Sequence, residues 1–189
     1  MVQYFFHGGL LPPVWDLHRY PTKDRYNKSK TDMGYGLYVV DHWETARKYQ
    51  KGNRRFYVVG VEMDSGKDIS DVYLDMDLCF RFVMNQFSLR LANEWCDNFV
   101  RLSKDGNTLK AEYFDNIIVQ YEKTTGRIGK ELICFLVNNG VGYRKVFNRF
   151  GFGENMLVLY DVRCISSIQA LRGKDMVYSV DDYVSKRGL

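Results

Sequence analysis

The hydrophobic period of this chain changes twice along its length, and that limits the folds open to it. Near the start, Val2-Gln3-Tyr4-Phe5-Phe6 reads as a short apolar strand running into His7-Gly8-Gly9. Gly34-Tyr35-Gly36-Leu37-Tyr38-Val39-Val40 reads as a second strand, entered through a glycine pair, and residues 56–63 as a third, rich in β-branched and aromatic side chains. Between about 72 and 103 the spacing turns helical, with Leu78, Phe82, Phe87, Leu91, Trp95 and Phe99 on one stripe. Another helix is expected over 127–138, stopping at Asn139-Gly140. Strand patterns return at 143–148, 156–161 and 166–171, and Ser179 is placed to cap a short final helix. Strands at both ends with helices between them predict an α+β chain, one domain over 1–189 with a helical insertion at about 70–138.

Composition narrows the function classes. A chain of 189 residues, 46 % apolar and 26 % charged, suits one globular domain and excludes disordered, collagen-like and coiled-coil classes. The net charge of +4 is mild beside the dense basic face of dedicated nucleic-acid binders. The first residues lack a signal-peptide pattern, and no window approaches the ~18 apolar residues of a membrane span. A cytoplasmic protein without a membrane anchor is therefore expected. Cys79, Cys96, Cys134 and Cys164 lie far apart among apolar neighbours and read as reduced structural thiols; His7, His18 and His42 show no metal-ligand spacing. The charged, aperiodic stretch 19–32 reads as a long surface loop. Asp41 with Glu44 three residues later forms a capping-box pattern for a helix ending near Gln50.

Four features fall in order along the chain: a strand ending in His7-Gly8, the strand Gly36-Leu37-Tyr38, a helix ending in Lys48-Tyr49, and a late strand with Glu154 ahead of Met156-Leu157-Val158-Leu159-Tyr160-Asp161. In this the sequence resembles the ADP-ribosyltransferase superfamily, in its His-Tyr-Glu branch of poly(ADP-ribose) polymerases and diphtheria-like toxins. The stretch from Gly34 to Tyr49 is similar to that group's glycine-flanked Gly-x-Gly-Ile-Tyr-Phe segment and the tyrosine-bearing helix after it. Gly142-Tyr143-Arg144-Lys145-Val146 and the segment from Leu157 to Ile165 look like the closing strands of bacterial and phage members. The matches cover about a third of the chain and leave the helical middle unmatched.

The resemblance implies two small facing sheets and NAD as co-substrate, with ADP-ribose passed to a macromolecule and nicotinamide released. Carried over residue by residue, it implies that His7 holds a ribose, Gly8 reads the carboxamide, and Tyr38 and Tyr49 flank the nicotinamide ring. Gly9 and Gly36 complete the glycine backbone around them, and Glu154 stabilises the reacting sugar. The residue types suit that chemistry on independent grounds. Breaking the nicotinamide–ribose bond passes through an oxocarbenium-like sugar that a carboxylate stabilises. A flat carboxamide ring needs a stacking platform and accessible backbone. Cations between Arg19 and Lys30 are candidates for the two phosphates.

Two positions depart from the family pattern. Gly9 stands where a Ser or Thr follows His-Gly, and a gapless count back from Tyr160-Asp161 puts the family's glutamate at Met156, two residues after Glu154. Positions i and i+2 share a face in a strand, so Glu154 keeps the facing of Met156 about 7 Å further along. Glu131 and Glu122 are the next candidate acids. The expected role is that of a bacterial or phage toxin or effector acting on a protein, with nucleic acid as the other target class. Two alternatives stand beside it: a binding module for NAD, an ADP-ribose-like ligand or a protein, and a transferase of the RNA 2′-phosphate type.

Overall fold

The strand Val2–Gly8 has a neighbour on each side, and this central placement organises the amino-terminal half of the molecule. The computed structural model describes residues 1–9, 36–49, 56–125, 130–171 and 179–188, which divide into two compact units. In chain order the elements are β1 (Val2–Gly8), β2 (Leu37–Val40), α1 (Trp43–Lys48), β3 (Phe56–Glu62), β4 (Lys67–Asp68), β5 (Tyr73–Asp75), α2 (Met76–Gln86), α3 (Leu89–Leu102), β6 (Thr108–Lys110), α4 (Ala111–Thr125), α5 (Lys130–Asn138), β7 (Val141–Phe147), β8 (Asn155–Leu159), β9 (Ile165–Leu171) and α6 (Val180–Arg187). The described parts of the first unit are 1–9, 36–49, 56–66, 142–171 and 179–188; those of the second are 67–125 and 130–141.

In the first unit the strands run in the order β7-β8-β2-β1-β3-β9. The pairings among them are antiparallel. Strands and helices together make a mixed α+β chain, and in this unit the hydrogen bonding runs on through β1, which takes β2 on one edge and β3 on the other. Period-two alternation sorts the side chains onto two buried faces. Phe5, Leu37, Val39, Val59, Val61, Tyr143, Leu157 and Leu159 form one apolar cluster, over which Met63 folds from the turn after β3. Phe6 turns to the opposite face and meets Trp43 of α1 edge-on at 6.3 Å, while Trp43 stacks on Phe56 at 4.2 Å. Tyr183 of α6 lies 5.8 Å from Tyr4 on that same side.

The second unit holds α2 to α5 and the two-stranded sheet of β5 and β6. Its core is aromatic: Phe82 lies 5.5 Å from Phe114 and 4.8 Å from Phe135, and Phe87 lies 4.7 Å from Trp95. The helical stripe expected over 72–103 is split. Residues 73–75 are extended, and the helix breaks at Phe87-Ser88, where both residues adopt strand-like dihedrals and the Phe87 ring wedges between Trp95 and Tyr121. Helix α4 is absent from the sequence reading. It follows a turn in which the Asp105 carboxylate accepts the N–H groups of Asn107 and Thr108, which lower its pKa to about 2.

Capping differs as well. Ser179 does cap α6, its Oγ accepting from the N–H of Asp182. Asp41 does not cap α1: the cap is His42, without a side-chain bond, because the Asp41 carboxylate is held by the Asn155 N–H at 2.8 Å and its side-chain amide at 2.6 Å. The four cysteines are free thiols, and burial pushes Cys79 up to about 12 and Cys164 up to about 11. The loop expected at 19–32 and the helix end near Gln50 lie outside the described residues.

Gly36 shows how tightly β2 and β8 approach. A Cβ there would stand 2.6 Å from Val158 Cγ1 and 2.9 Å from the Leu159 carbonyl. Because one of these atoms is backbone, Gly36→Ala is expected to spread the strands and cost about 1–3 kcal/mol. A fall in the thermal midpoint followed by circular dichroism checks it; an unchanged midpoint contradicts the packing described.

Candidate functional site

His7 ends the alternation of β1, on the face of Phe5, directly opposite Tyr57 of β3, with the two rings 6.2 Å apart. Its Nδ1 lies 2.7 Å from the carbonyl of Tyr38. A carbonyl only accepts, so Nδ1 carries the proton and donates, which fixes the ring and leaves Nε2 as the acceptor of the neutral imidazole. The chain then turns through Gly9 at φ +131°, a conformation open to glycine. A Cβ on Gly9 would lie 3.4 Å from the Tyr49 carbonyl and 3.8 Å from His7 Nε2. The imidazole, the glycine backbone and the residue that caps α1 thus meet in one small space.

The sequence-derived residues divide around this point. His7, Gly9 and Tyr49 are brought together. Gly8 is buried beside them, paired with Phe56. Tyr38 contributes its carbonyl; its ring alternates with Leu37 and Val39 and so faces the α1 side of the sheet with Val40. Gly36 is needed for strand packing rather than for access to backbone.

The acids lie elsewhere. Met156, at the family's gapless position, is buried opposite Val40. Glu154 precedes β8, and since Tyr38 pairs with Val158, it lies four residues, about 13 Å of strand, from the level of Tyr38. Its side chain is fully buried, with one carboxylate oxygen 2.5 Å from the Phe150 N–H and the other 3.1 Å from the Phe152 N–H. Burial alone pushes the carboxyl upward; the backbone N–H groups of Phe150, Glu154 itself and Phe152, with the His42 ring nearby, outweigh it and hold its pKa below the ordinary glutamate value. Glu154 therefore clamps the β7–β8 loop, whose path needs positive φ at Asn148, Gly151 and Gly153. Glu131 is an exposed residue of the second unit, and the side chain of Glu122 lies outside the described residues, as do Arg19 to Lys30.

That clamp presents residues the sequence reading did not single out. Phe150 meets the Tyr49 ring edge-on at 5.9 Å, and the Lys48 ammonium lies 5.0 Å from the centre of Phe150 and 4.2 Å from that of Phe152. The alternation of Phe150, Gly151, Phe152 and Gly153 was the available signal. Tyr57 was also missed; only strand register reveals it beside His7. A separate groove of about 960 Å³ lies against Tyr4, Asp41, His42, Lys145 and Asn155, and His7, Gly9 and Tyr49 are not among its lining residues. There His42 Nδ1 approaches Asp41 Oδ1 at 2.9 Å. Among the described residues no group of three or more His, Cys, Asp or Glu side chains is placed to hold a metal ion, and no helix is long and apolar enough to cross a membrane.

No protein-family model matches the chain, and neither a curated protein nor a solved structure matches it significantly. The chemistry must therefore be read from the residues. An oriented imidazole acceptor, a glycine backbone and a carbonyl suit a ligand with hydroxyl and amide groups.

The Glu154 clamp has a pH signature. A carboxyl whose native pKa is lowered contributes its full stability above the unfolded value, near 4.5, and loses it as pH falls through the lower native value. Glu154→Gln is expected to destabilise the protein at neutral pH by about 1–2 kcal/mol, the scale of a charge-assisted hydrogen bond. In urea unfolding the gap from wild type should close below pH 4.5; a gap that is constant with pH contradicts the clamp.

Proposed function

We propose that this chain binds NAD at the glycine-rich end of β1 and transfers its ADP-ribose to a macromolecule, releasing nicotinamide. The observation that carries this reading is the convergence of His7 Nε2, the Gly9 backbone and the Tyr49 carbonyl from two separate segments, with the Tyr38 carbonyl fixing the imidazole. Nε2 of His7 accepts from a ribose hydroxyl, the Gly8-Gly9 backbone faces the carboxamide, and the Tyr49 ring flanks the nicotinamide. The bond between the ribose C1′ and the nicotinamide nitrogen breaks with its electron pair, which neutralises the pyridinium. The positive charge passes to the sugar, a nucleophile of the target bonds to C1′, and the target's proton is lost to solvent.

Transfer needs negative charge beside that sugar, and the carboxylate oxygens of Glu154 are engaged by the Phe150 and Phe152 N–H groups. That observation favours a second reading: the same residues hold NAD or an ADP-ribose-like ligand without transfer. Calorimetry with NAD and an assay of nicotinamide release in cell lysate separate the two. Under transfer, wild type binds NAD and releases nicotinamide, and His7→Ala weakens binding about tenfold, the scale of one lost hydrogen bond. Binding without release supports the second reading; no binding by wild type overturns both.

A further inference from the structure

β1 runs past the end of β2. Val40, the last residue of β2, stands opposite Phe6, which leaves Val2–Phe5 without a β2 neighbour. On their other edge these four residues pair in full with β3, from Glu62 to Val59. The chain after Val40 turns aside instead of continuing the ladder: the Asp41 N–H donates to the Asn155 carbonyl at 3.0 Å, and α1 starts at Trp43. Alternate residues of a strand direct N–H and C=O to opposite edges, so two of the four present both groups to the β2 side. Among the described residues, only β3 hydrogen-bonds the backbone of Val2–Phe5. In the sheet β2 lies between β8 and β1. Beyond Val40 those two strands are therefore two spacings apart, roughly 9.5 Å, which is room for one extended chain. The groove of about 960 Å³ fills this gap, with Val2 and Tyr4 on one wall, Met156 on the other, and Val180 and Val184 of α6 along one side. Every lining residue belongs to the first unit. Of its charged groups, Asp41 is held by Asn155, His42 lies against Asp41, and Lys145 lies 5.5 Å from the centre of the Tyr143 ring. Asp181 is exposed, and its carboxylate makes no hydrogen bond or ion pair with any described residue; the neighbouring pair is Lys186 with Asp182.

We propose that this slot takes an extended peptide segment of a protein partner, added to the open edge of β1 as a strand. The segment carries apolar residues at alternate positions and a Lys or Arg set against Asp181. Its backbone supplies donors and acceptors at the strand repeat of about 3.3 Å, which a nucleotide, a sugar or a lipid does not. Its alternate side chains fall toward Val180 and Val184. A phosphate-bearing ligand would be opposed by Asp181. An added strand also covers an edge that is otherwise a template for unspecific pairing. β3 fixes the path of β1 before the segment arrives, so binding requires little ordering of the slot. The proposal is independent of NAD and of transfer, since His7, Gly9 and Tyr49 lie outside the groove.

Selection of phage-displayed random heptapeptides on the whole chain, without NAD, tests it. Each selected sequence is then made as a fluorescein-labelled peptide and titrated by anisotropy. Selected sequences are expected to alternate aliphatic or aromatic residues with polar ones and to carry a Lys or Arg. N-methylation of the peptide's backbone at every second amide should weaken binding at least tenfold in one register and by less than about twofold in the other, because only alternate N–H groups face β1. Hydrogen exchange should slow within Val2–Phe5 when the peptide is bound. Asp181→Asn should weaken a lysine-bearing peptide about threefold, with an unchanged melting temperature. Failure to select any peptide, equal tolerance of N-methylation in both registers, binding without slowed exchange at Val2–Phe5, or unchanged binding by Asp181→Asn each overturns the proposal.

Discussion

A strand with partners on both edges and apolar packing on both faces cannot slide by one residue without sending every side chain to the wrong side. β1 is in that position. Its seven residues pair throughout with β3, Phe6 sits opposite Val40 of β2, Phe5 is locked into one apolar cluster, and Phe6 is locked under Trp43. The placement of His7 is a consequence: once Phe5 and Phe6 are fixed, the imidazole must emerge at the Tyr57 position, within reach of the Tyr38 carbonyl. The hydrogen bond to that carbonyl adds direction to a location that packing has already settled.

What was legible in the sequence is what local period and local chemistry encode. The strands around 2–6, 37–40 and 56–62 show because β-branched and aromatic residues crowd them, and Ser179 shows because a cap acts within four residues. Asp41 has the correct local pattern for a cap and is drawn away by Asn155, a partner 114 positions distant that no local pattern reveals. Phe87 carries the helical spacing, yet its ring is better buried between Trp95 and Tyr121 than on the stripe, and the helix breaks to allow it. In the site, spacing suggested a set of residues and only register could sort them. It brought His7, Gly9 and Tyr49 together and turned the Tyr38 ring to the other face.

Glu154 illustrates how one residue type serves opposite ends. A carboxylate beside a reacting sugar must keep its lone pairs for developing charge, whereas a carboxylate that organises a loop spends them on backbone N–H groups. The second use is visible here, and it lowers the same pKa that the first would require to be low. An ionised acid near a ligand site is therefore no guide to its task; the identity of its hydrogen-bond donors is.

Gly9 bears on the history open to this chain. Its φ of +131° is tolerated by glycine and strained for any residue with a Cβ, whatever space surrounds it. A serine or threonine at that position is thus not one substitution away. The backbone would first have to be rebuilt between His7 and the residues beyond it. With the bare glycine fixed by this turn, any polar contact made there must come from a different segment of the chain.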